Sequence, residues 1–288
     1  MAFLWMLASV LGVVPPRVSG TLFLAFQGQE GIWTPLVRRT YLTVQNAGAE
    51  AWGYRLTLDS RPYEGRLEVF VKYAYLEGRW GPLRGRWGRV PTPWVGSEER
   101  IWGLRAVAPV FLDRLGWQTS ATEGMAVLWT PGRAWQVDLG VLGPWHTGKI
   151  PMAREALRVS WQAGPFGVHG FLEHSGPWDP WVLQQAGALS WQGPGGHLMV
   201  QGVRRVSGAG VEKGGSVHGQ YRLGQWHGGL LGLFGRWDVL WGPEMKDWTW
   251  MAGGTWEPGA GVLHRVAAYV IQGRTEPTRA GLVLVVSF

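Results

Sequence analysis

Cysteine is absent from this chain, which excludes both a disulfide framework and a thiolate metal site. Lysine is scarce: only Lys72, Lys149, Lys213 and Lys246 occur, and arginine supplies the remaining basic charge. Asn46 is the sole asparagine, a bias compatible with a hot habitat or a GC-rich genome. Beyond residue 20 no apolar run reaches the length of about 20 residues that a membrane-spanning helix needs. The histidines, at 146, 169, 174, 197, 218, 227 and 264, show no HExxH or similar spacing. No motif marks a nucleophile either, so Ser120 or Ser160 would need a His and an Asp brought from separate strands. No cofactor and no enzymatic activity are therefore expected. The basic residues fall singly at alternate positions rather than in runs, which argues against nucleic acid as a partner.

What abounds is tryptophan and glycine, 21 and 45 of 288 residues, a combination suited to many short strands with tight turns. The first twenty residues read as a secretory signal, 1–20: Met1 to Val14 is almost wholly apolar, Pro15 and Pro16 break it, and Val18-Ser19-Gly20 offers small residues for cleavage. From Thr21 onward the period is two, not 3.6. Leu22, Leu24 and Phe26 alternate with Thr21, Phe23 and Ala25; Leu67, Val69, Val71, Tyr73 and Tyr75 alternate with Arg66, Glu68, Phe70, Lys72 and Ala74. Sixteen such segments can be counted, with fourteen as the alternative, and no linker divides them, so 21–288 reads as one domain. The even-numbered connections are short and the odd-numbered ones mostly longer, as expected where two ends of a barrel differ.

Alternation alone does not separate a soluble sandwich from a transmembrane barrel. Tryptophan placement does: Trp52, Trp87, Trp129, Trp135, Trp161, Trp191, Trp226, Trp248 and Trp256 stand at or near strand ends, on the apolar face where that face is readable, and an indole at a membrane interface satisfies both its ring and its N–H. The chain ends on Phe288, in register with Val286, Leu284 and Leu282. That ending resembles the signal read by the outer-membrane assembly machinery. The expected fold class is all-β: a transmembrane antiparallel β-barrel of sixteen strands whose apolar face meets outer-membrane lipid.

One stretch is not strand-like: Pro91 to Gly116, within a long connection expected at 91–122. Ser97 stands where an N-cap would, with Glu98 and Glu99 in the first turn. A second turn is expected over Val110 to Leu115, ended by Gly116. Ile101, Trp102, Leu104, Val110, Phe111 and Leu112 are too apolar for a solvated loop and need a wall, for which Phe70, Ala74 and Leu76 of the fourth strand are the candidates. The segment is thus expected to fold into the lumen as a constriction loop. Its Glu98, Glu99, Arg100 and Arg105 would line the pore, facing Arg39, Arg55, Arg66, Lys72, Arg84 and Arg86. Arg154, Arg158 and Arg222 are inward as well, against the inward acids Asp59, Glu68, Asp138 and Glu173. The surplus of inward bases predicts mild anion preference.

Several pieces, Arg39-Thr40-Tyr41-Leu42, Tyr54 to Asp59, Val71 to Leu76, Gly88 to Trp94 and Glu98 to Arg105, resemble in this order the N-terminal half of bacterial outer-membrane porins of the phosphate-selective-porin-like group. Pro91-Thr92-Pro93-Trp94 and Trp102-Gly103-Leu104-Arg105 are the more specific, and the match covers about residues 38 to 125. The resemblance implies a passive diffusion channel for small anions or polar solutes, usually a homotrimer, with the third outer loop folded inward. Phosphate does not carry over with it: in such porins the selectivity rests on lysine-rich loops, and this chain has four lysines. The alternatives are a plugged barrel that anchors or assembles the envelope and, less favoured, an outer-membrane hydrolase.

Overall fold

The computed structural model describes residues 16–29, 32–46, 51–63, 66–143, 153–175, 181–242, 246–259, 261, 263–275 and 277–288. Sixteen strands follow one another: β1 (Arg17–Gln29), β2 (Ile32–Asn46), β3 (Trp52–Tyr63), β4 (Arg66–Trp80), β5 (Leu83–Pro91), β6 (Ala121–Trp129), β7 (Trp135–Leu142), β8 (Arg154–Ala163), β9 (Phe166–Ser175), β10 (Val182–Gly193), β11 (Gly196–Ser207), β12 (Gly210–Trp226), β13 (Gly229–Trp241), β14 (Lys246–Pro258), β15 (Leu263–Gly273) and β16 (Arg279–Ser287). Each pairs antiparallel with its sequence neighbours, and β1 closes on β16 with Thr21 opposite Ser287 and Phe26 opposite Leu282. The count is sixteen, not fourteen, and no edge remains unpaired.

The seam starts earlier than the alternation suggests. Arg17 to Gly20 already pair with Gln45 to Leu42, so a signal cut after Gly20 would remove four paired residues from β1. The apolar part of the expected signal, 1–15, lies outside the described residues. Gly20 and Phe288 exchange both backbone hydrogen bonds, and the Phe288 ring lies over Gly20, where a Cβ would come within 2.2 Å of it. The same device recurs at Gly28 under Trp33, Gly78 under Trp80 and Gly229 under Trp256. At these positions an aromatic ring covers bare backbone, which repacks a weak strand position.

Outside, the barrel is apolar: Trp87, Leu139, Leu172, Leu189 and Leu233 are all exposed while Asp59, Glu173 and Asp238 are buried inside. This inversion of a soluble fold requires lipid around the strands. Trp52, Trp80, Trp129, Trp135, Trp161 and Trp226 are exposed on the outer face at the end of the barrel opposite the long connection, forming an aromatic girdle, whereas Trp87, expected near a strand end, is exposed at the middle of β5.

Connection lengths are less regular than expected. β1 and β2 run on to residues 29 and 32, and β11 and β12 to 207 and 210, so the first and sixth odd connections are only two residues long. The expected loops Gly28–Pro35 and Ser207–Gly215 are mostly strand. The connections at 144–152 and 176–180 lie outside the described residues.

A bulge decides the faces of β4. Thr57 is opposite Tyr73 and Leu58 opposite Val71, so Lys72 is an extra residue. The phase flips there. Tyr73 and Tyr75, expected on the apolar face, turn into the lumen, and Ala74 and Leu76 turn outward.

Candidate pore constriction

The connection from 92 to 120 folds into the barrel and holds two short helices, α1 (Pro93–Trp102) and α2 (Phe111–Arg114). Thr92, not Ser97, is the N-cap of α1, with Pro93 in the first helical turn where its missing N–H leaves nothing unpaired. Ser97 is mid-helix, and Glu98 and Glu99 are not in the first turn. The strand β5 ends at Pro91, and Pro93 starts the helix. Gly103 ends it in the left-handed conformation at φ 63°, free of Cβ strain, with its N–H donating to Glu99 O. The second turn falls where expected, at Val110 to Leu115 with Gly116 after it.

The loop does not pack on β4. It lies on the far wall, β7 to β16, and on β1. Trp94 stacks tilted on Phe171 of β9 and donates its indole N–H to Gln201 Oε1 on β11 at 3.3 Å. Trp102, fully buried, meets His218 and Phe234 edge-on and donates to Ala108 O. The Phe111 ring lies against the bare backbone of Gly214. Phe23, Ala25 and Val283 form an apolar strip inside the lumen that joins the same buried cluster.

Polar clamps surround this apolar contact. Arg158, paired with Asp138, donates to Ser97 Oγ; Gln118 donates to Glu173 at 2.7 Å; Arg236 donates to Pro109 O; Arg114 pairs with Asp238 at 3.0 Å. Gln118, Gln201, Arg114, Arg236 and Asp238 had no signal in the sequence as clamp residues. Ser97 and Asp138 had been read for other roles. Alternation marks a face, not a partner.

Glu98 is no pore wall. It is completely buried between loop and barrel, accepting from the Phe111 backbone N–H at 2.9 Å and from the Gln201 amide. Burial pushes its carboxyl up to about 7, against the downward pull of Arg236 and of those two hydrogen bonds.

The loop's other face borders an aperture of about 580 Å³ against β1 to β5. Tyr41, Arg55, Lys72, Tyr73, Tyr75 and Arg86 form the barrel side, with Glu99, Arg100 and Arg105 on the loop side. Their charges are unequally matched. Arg86 pairs with Glu77 at 2.8 Å, and Arg105 pairs with Glu99 and Asp113. Burial works against the Arg105 guanidinium, but the two carboxylates outweigh it and hold it above the ordinary arginine value. Lys72 rests on the Tyr41 ring and donates to its hydroxyl at 3.2 Å, and Arg55 lies over Tyr73. Neither has a carboxylate partner among the described residues, and Arg100 has none either. Burial, then Arg158, pulls Arg100 below the usual arginine range. Glu99 is therefore the acidic member of the expected pair that reaches the aperture.

The remaining inward bases sit elsewhere. Arg39 is bound to Asp59 at 2.8 Å beside the aperture; Arg154 pairs with Glu173 at 3.4 Å. Arg158 is buried in its clamp. Arg66, at the start of β4, is exposed beyond the constriction, and Arg84 and Arg222 lie toward the opposite mouth.

No family model and no curated protein sequence matches the chain. Solved structures do. OmpF of Salmonella typhi in complex with daunomycin aligns with a TM-score of 0.70 at 11% identity, over 95% of this chain and 97% of that one. The fold is that of the outer-membrane porins. A Rhodopseudomonas blastica porin variant aligns at 0.64 and 14% identity, over 95% and 100% of the two chains. OmpT, an outer membrane protein of Vibrio cholerae, aligns in its trimer form at 0.67 and 11%, over 96% and 100%. At these identities the likeness is one of architecture.

Among the described residues no group of three or more His, Asp or Glu is placed to hold a metal ion. His169 bonds Ser160 and Ser190 through its two ring nitrogens, leaving neither for the orienting carboxylate of a hydrolytic triad.

Proposed function

We propose that this chain is a porin of the bacterial outer membrane, a passive diffusion channel for small hydrophilic solutes with mild anion preference. The observation that carries the reading is the cavity of about 580 Å³ left between β1 to β5 and a loop anchored on the opposite wall. A loop clamped away from β1 to β5 narrows the lumen without filling it. Arg55, Lys72 and Arg100 bring positive charge to that narrowing with no carboxylate of their own, and such a wall concentrates anions over about a Debye length, ~8 Å at physiological salt. We propose further that residues before β1 serve as a secretory signal, that the terminal strand ending in Phe288 is what the assembly machinery reads, and that the channel is a homotrimer, as the OmpT structure is in its trimer form. Kinship with the phosphate-selective-porin-like group rests on Pro91–Trp94 and Trp102–Arg105, the two motifs that open and close α1.

Planar-bilayer recording of the purified protein tests the reading. Discrete conductance steps are expected. Silence at high protein concentration would overturn it in favour of a plugged barrel that anchors or assembles the envelope, a reading that the apolar cluster filling the far half of the lumen supports.

A further inference from the structure

A second cavity lies under the loop, on the side of the short turns. It measures about 300 Å³ and runs from Ser97 and Arg100 of α1 to Thr130 and Gly132 in the β6–β7 connection. Side chains of β7 to β10 complete its walls. Arg100 borders both this cavity and the aperture, so the two meet at one side chain. A solute at the narrowing has the cavity beside it.

Charge sets this cavity apart. The aperture carries Glu99, and the cavities toward the turn-end mouth carry Glu257 and Glu77. Among the described residues that line this one there are three arginines and no carboxylate. Arg158 is already matched: it pairs with Asp138 and donates to Ser160 Oγ at 2.9 Å. Arg100 and Arg133 have no carboxylate partner among the described residues. Two guanidiniums bordering one cavity repel each other, and an anion between them reverses the sign of that interaction.

The neutral polar groups divide in the same way. Gln136 donates to Asp138 at 2.8 Å, and the two ring nitrogens of His169 are held by Ser160 and Ser190 at 3.0 and 2.9 Å. These groups form a fixed back wall. The side-chain amides of Gln162 and Gln192 are exposed to the cavity and have no protein partner among the described residues. A carboxamide offers donors and an acceptor together. A bare anion uses only the donors, whereas a hydroxyl group, donor and acceptor at once, uses both. The volume stands at the lower end of the roughly 300–1,000 Å³ of small-molecule sites, far more than a chloride ion fills.

We infer that this cavity is a binding subsite for a small hydroxylated anion, a monosaccharide bearing one acid group. The acid group lies between Arg100 and Arg133, and the hydroxyls exchange hydrogen bonds with Gln162 and Gln192. A cationic sugar is repelled by both guanidiniums, and a neutral one leaves them unpaired. A sugar held beside Arg100 narrows the adjoining path while it is bound.

This inference rests on the channel reading and deepens it, and two measurements keep them separable. Saturation-transfer NMR on the detergent-solubilised protein reads binding without any current, with glucuronate, glucose 6-phosphate, glucose and acetate as probes. Either acidic sugar should bind at millimolar concentration. Glucose and acetate should bind at least about tenfold more weakly, because each lacks one set of contacts. The tighter of the two acidic sugars names the acid group. Arg133→Gln should weaken that binding about tenfold, and Gln162→Ala several-fold. Arg55→Gln, at the aperture, should leave it unchanged, because Arg55 does not border this cavity. In planar bilayers the same acidic sugars should interrupt the current at the concentrations at which they bind. Glucose or acetate binding as well as the acidic sugars would overturn the site. So would an Arg133→Gln or Gln162→Ala protein that binds as its parent does. Equal weakening by Arg55→Gln would mean that the net charge of the lumen holds the sugar, and would overturn it too. A channel that conducts but binds no acidic sugar sinks the site and leaves the porin reading standing; binding without conductance does the reverse.

Discussion

Removing the Glu98 carboxylate tests how the constriction loop is held. In Glu98→Ala the Phe111 N–H and the Gln201 amide, both buried, lose their acceptor. Each unsatisfied buried donor costs about 1–3 kcal/mol, so the docked loop should be weakened by about 3 kcal/mol, roughly a hundredfold in the docked-to-undocked ratio. The strands contribute nothing to this difference, because their ladders are untouched, and the barrel should remain as heat-resistant as its parent. Glu98→Gln keeps an acceptor oxygen and should behave as the parent does at low pH. The sign of the pH effect follows from burial. The folded carboxyl is raised from 4.5 to about 7, so its contribution is complete below 4.5 and is lost as pH rises through 7. The loss approaches ~3 kcal/mol once both forms are ionised. Current noise in planar bilayers is the assay: it should grow between about pH 4.5 and 7 in the parent and level off above that, stay flat in Glu98→Gln and be high throughout in Glu98→Ala. Equal noise in all three, or a Glu98→Gln channel as noisy as Glu98→Ala, would refute the clamp.

Reversal potentials in a potassium chloride gradient should show mild anion selectivity that fades with salt. Replacing Arg55 and Lys72 by Gln should move it toward cations, whereas a parent channel that prefers cations at low salt would mean that Glu99 governs the aperture. Arg84 and Arg86 are weaker targets for the same purpose, since Arg86 is already matched by Glu77. Deleting residues 97 to 113 should raise single-channel conductance, because α1 and α2 occupy the far half of the lumen; unchanged conductance with a correctly folded barrel would place the loop elsewhere. Trp102→Ala should destabilise the docked loop by about 3–5 kcal/mol, read as faster proteolysis within 92–120 while the barrel resists; equal protection would contradict the packing. Mass spectrometry should find the mature N-terminus at or before Arg17, and a chain beginning at Thr21 would contradict the observed start of β1.

The fold was legible in the sequence because a barrel strand is a local object. Its period of two, its tryptophans and its turn residues lie within ten or so neighbours, and the match of Thr21–Gln27 to Arg279–Phe288 follows once the count is even. The long connection was legible too, as apolar side chains that no solvated loop would keep. Three things were not. The bulge at Lys72 reverses the faces of Tyr73, Tyr75, Ala74 and Leu76, and one extra residue leaves no local trace when polar and aromatic residues adjoin. The choice of wall under the loop, β7 to β16 rather than β4, depends on shape matches such as Phe111 against Gly214 between residues about a hundred positions apart. The fate of Glu98 and Glu99 differs although they are adjacent and alike: a helix turns successive side chains by about 100°, so once the far wall is chosen one carboxylate is sealed under the loop and the other is left at the water. Sequence determined that there is a barrel with something inside it. Only the tertiary structure decided which side of the lumen stays open, because that is a contest between packing surfaces distant in the chain.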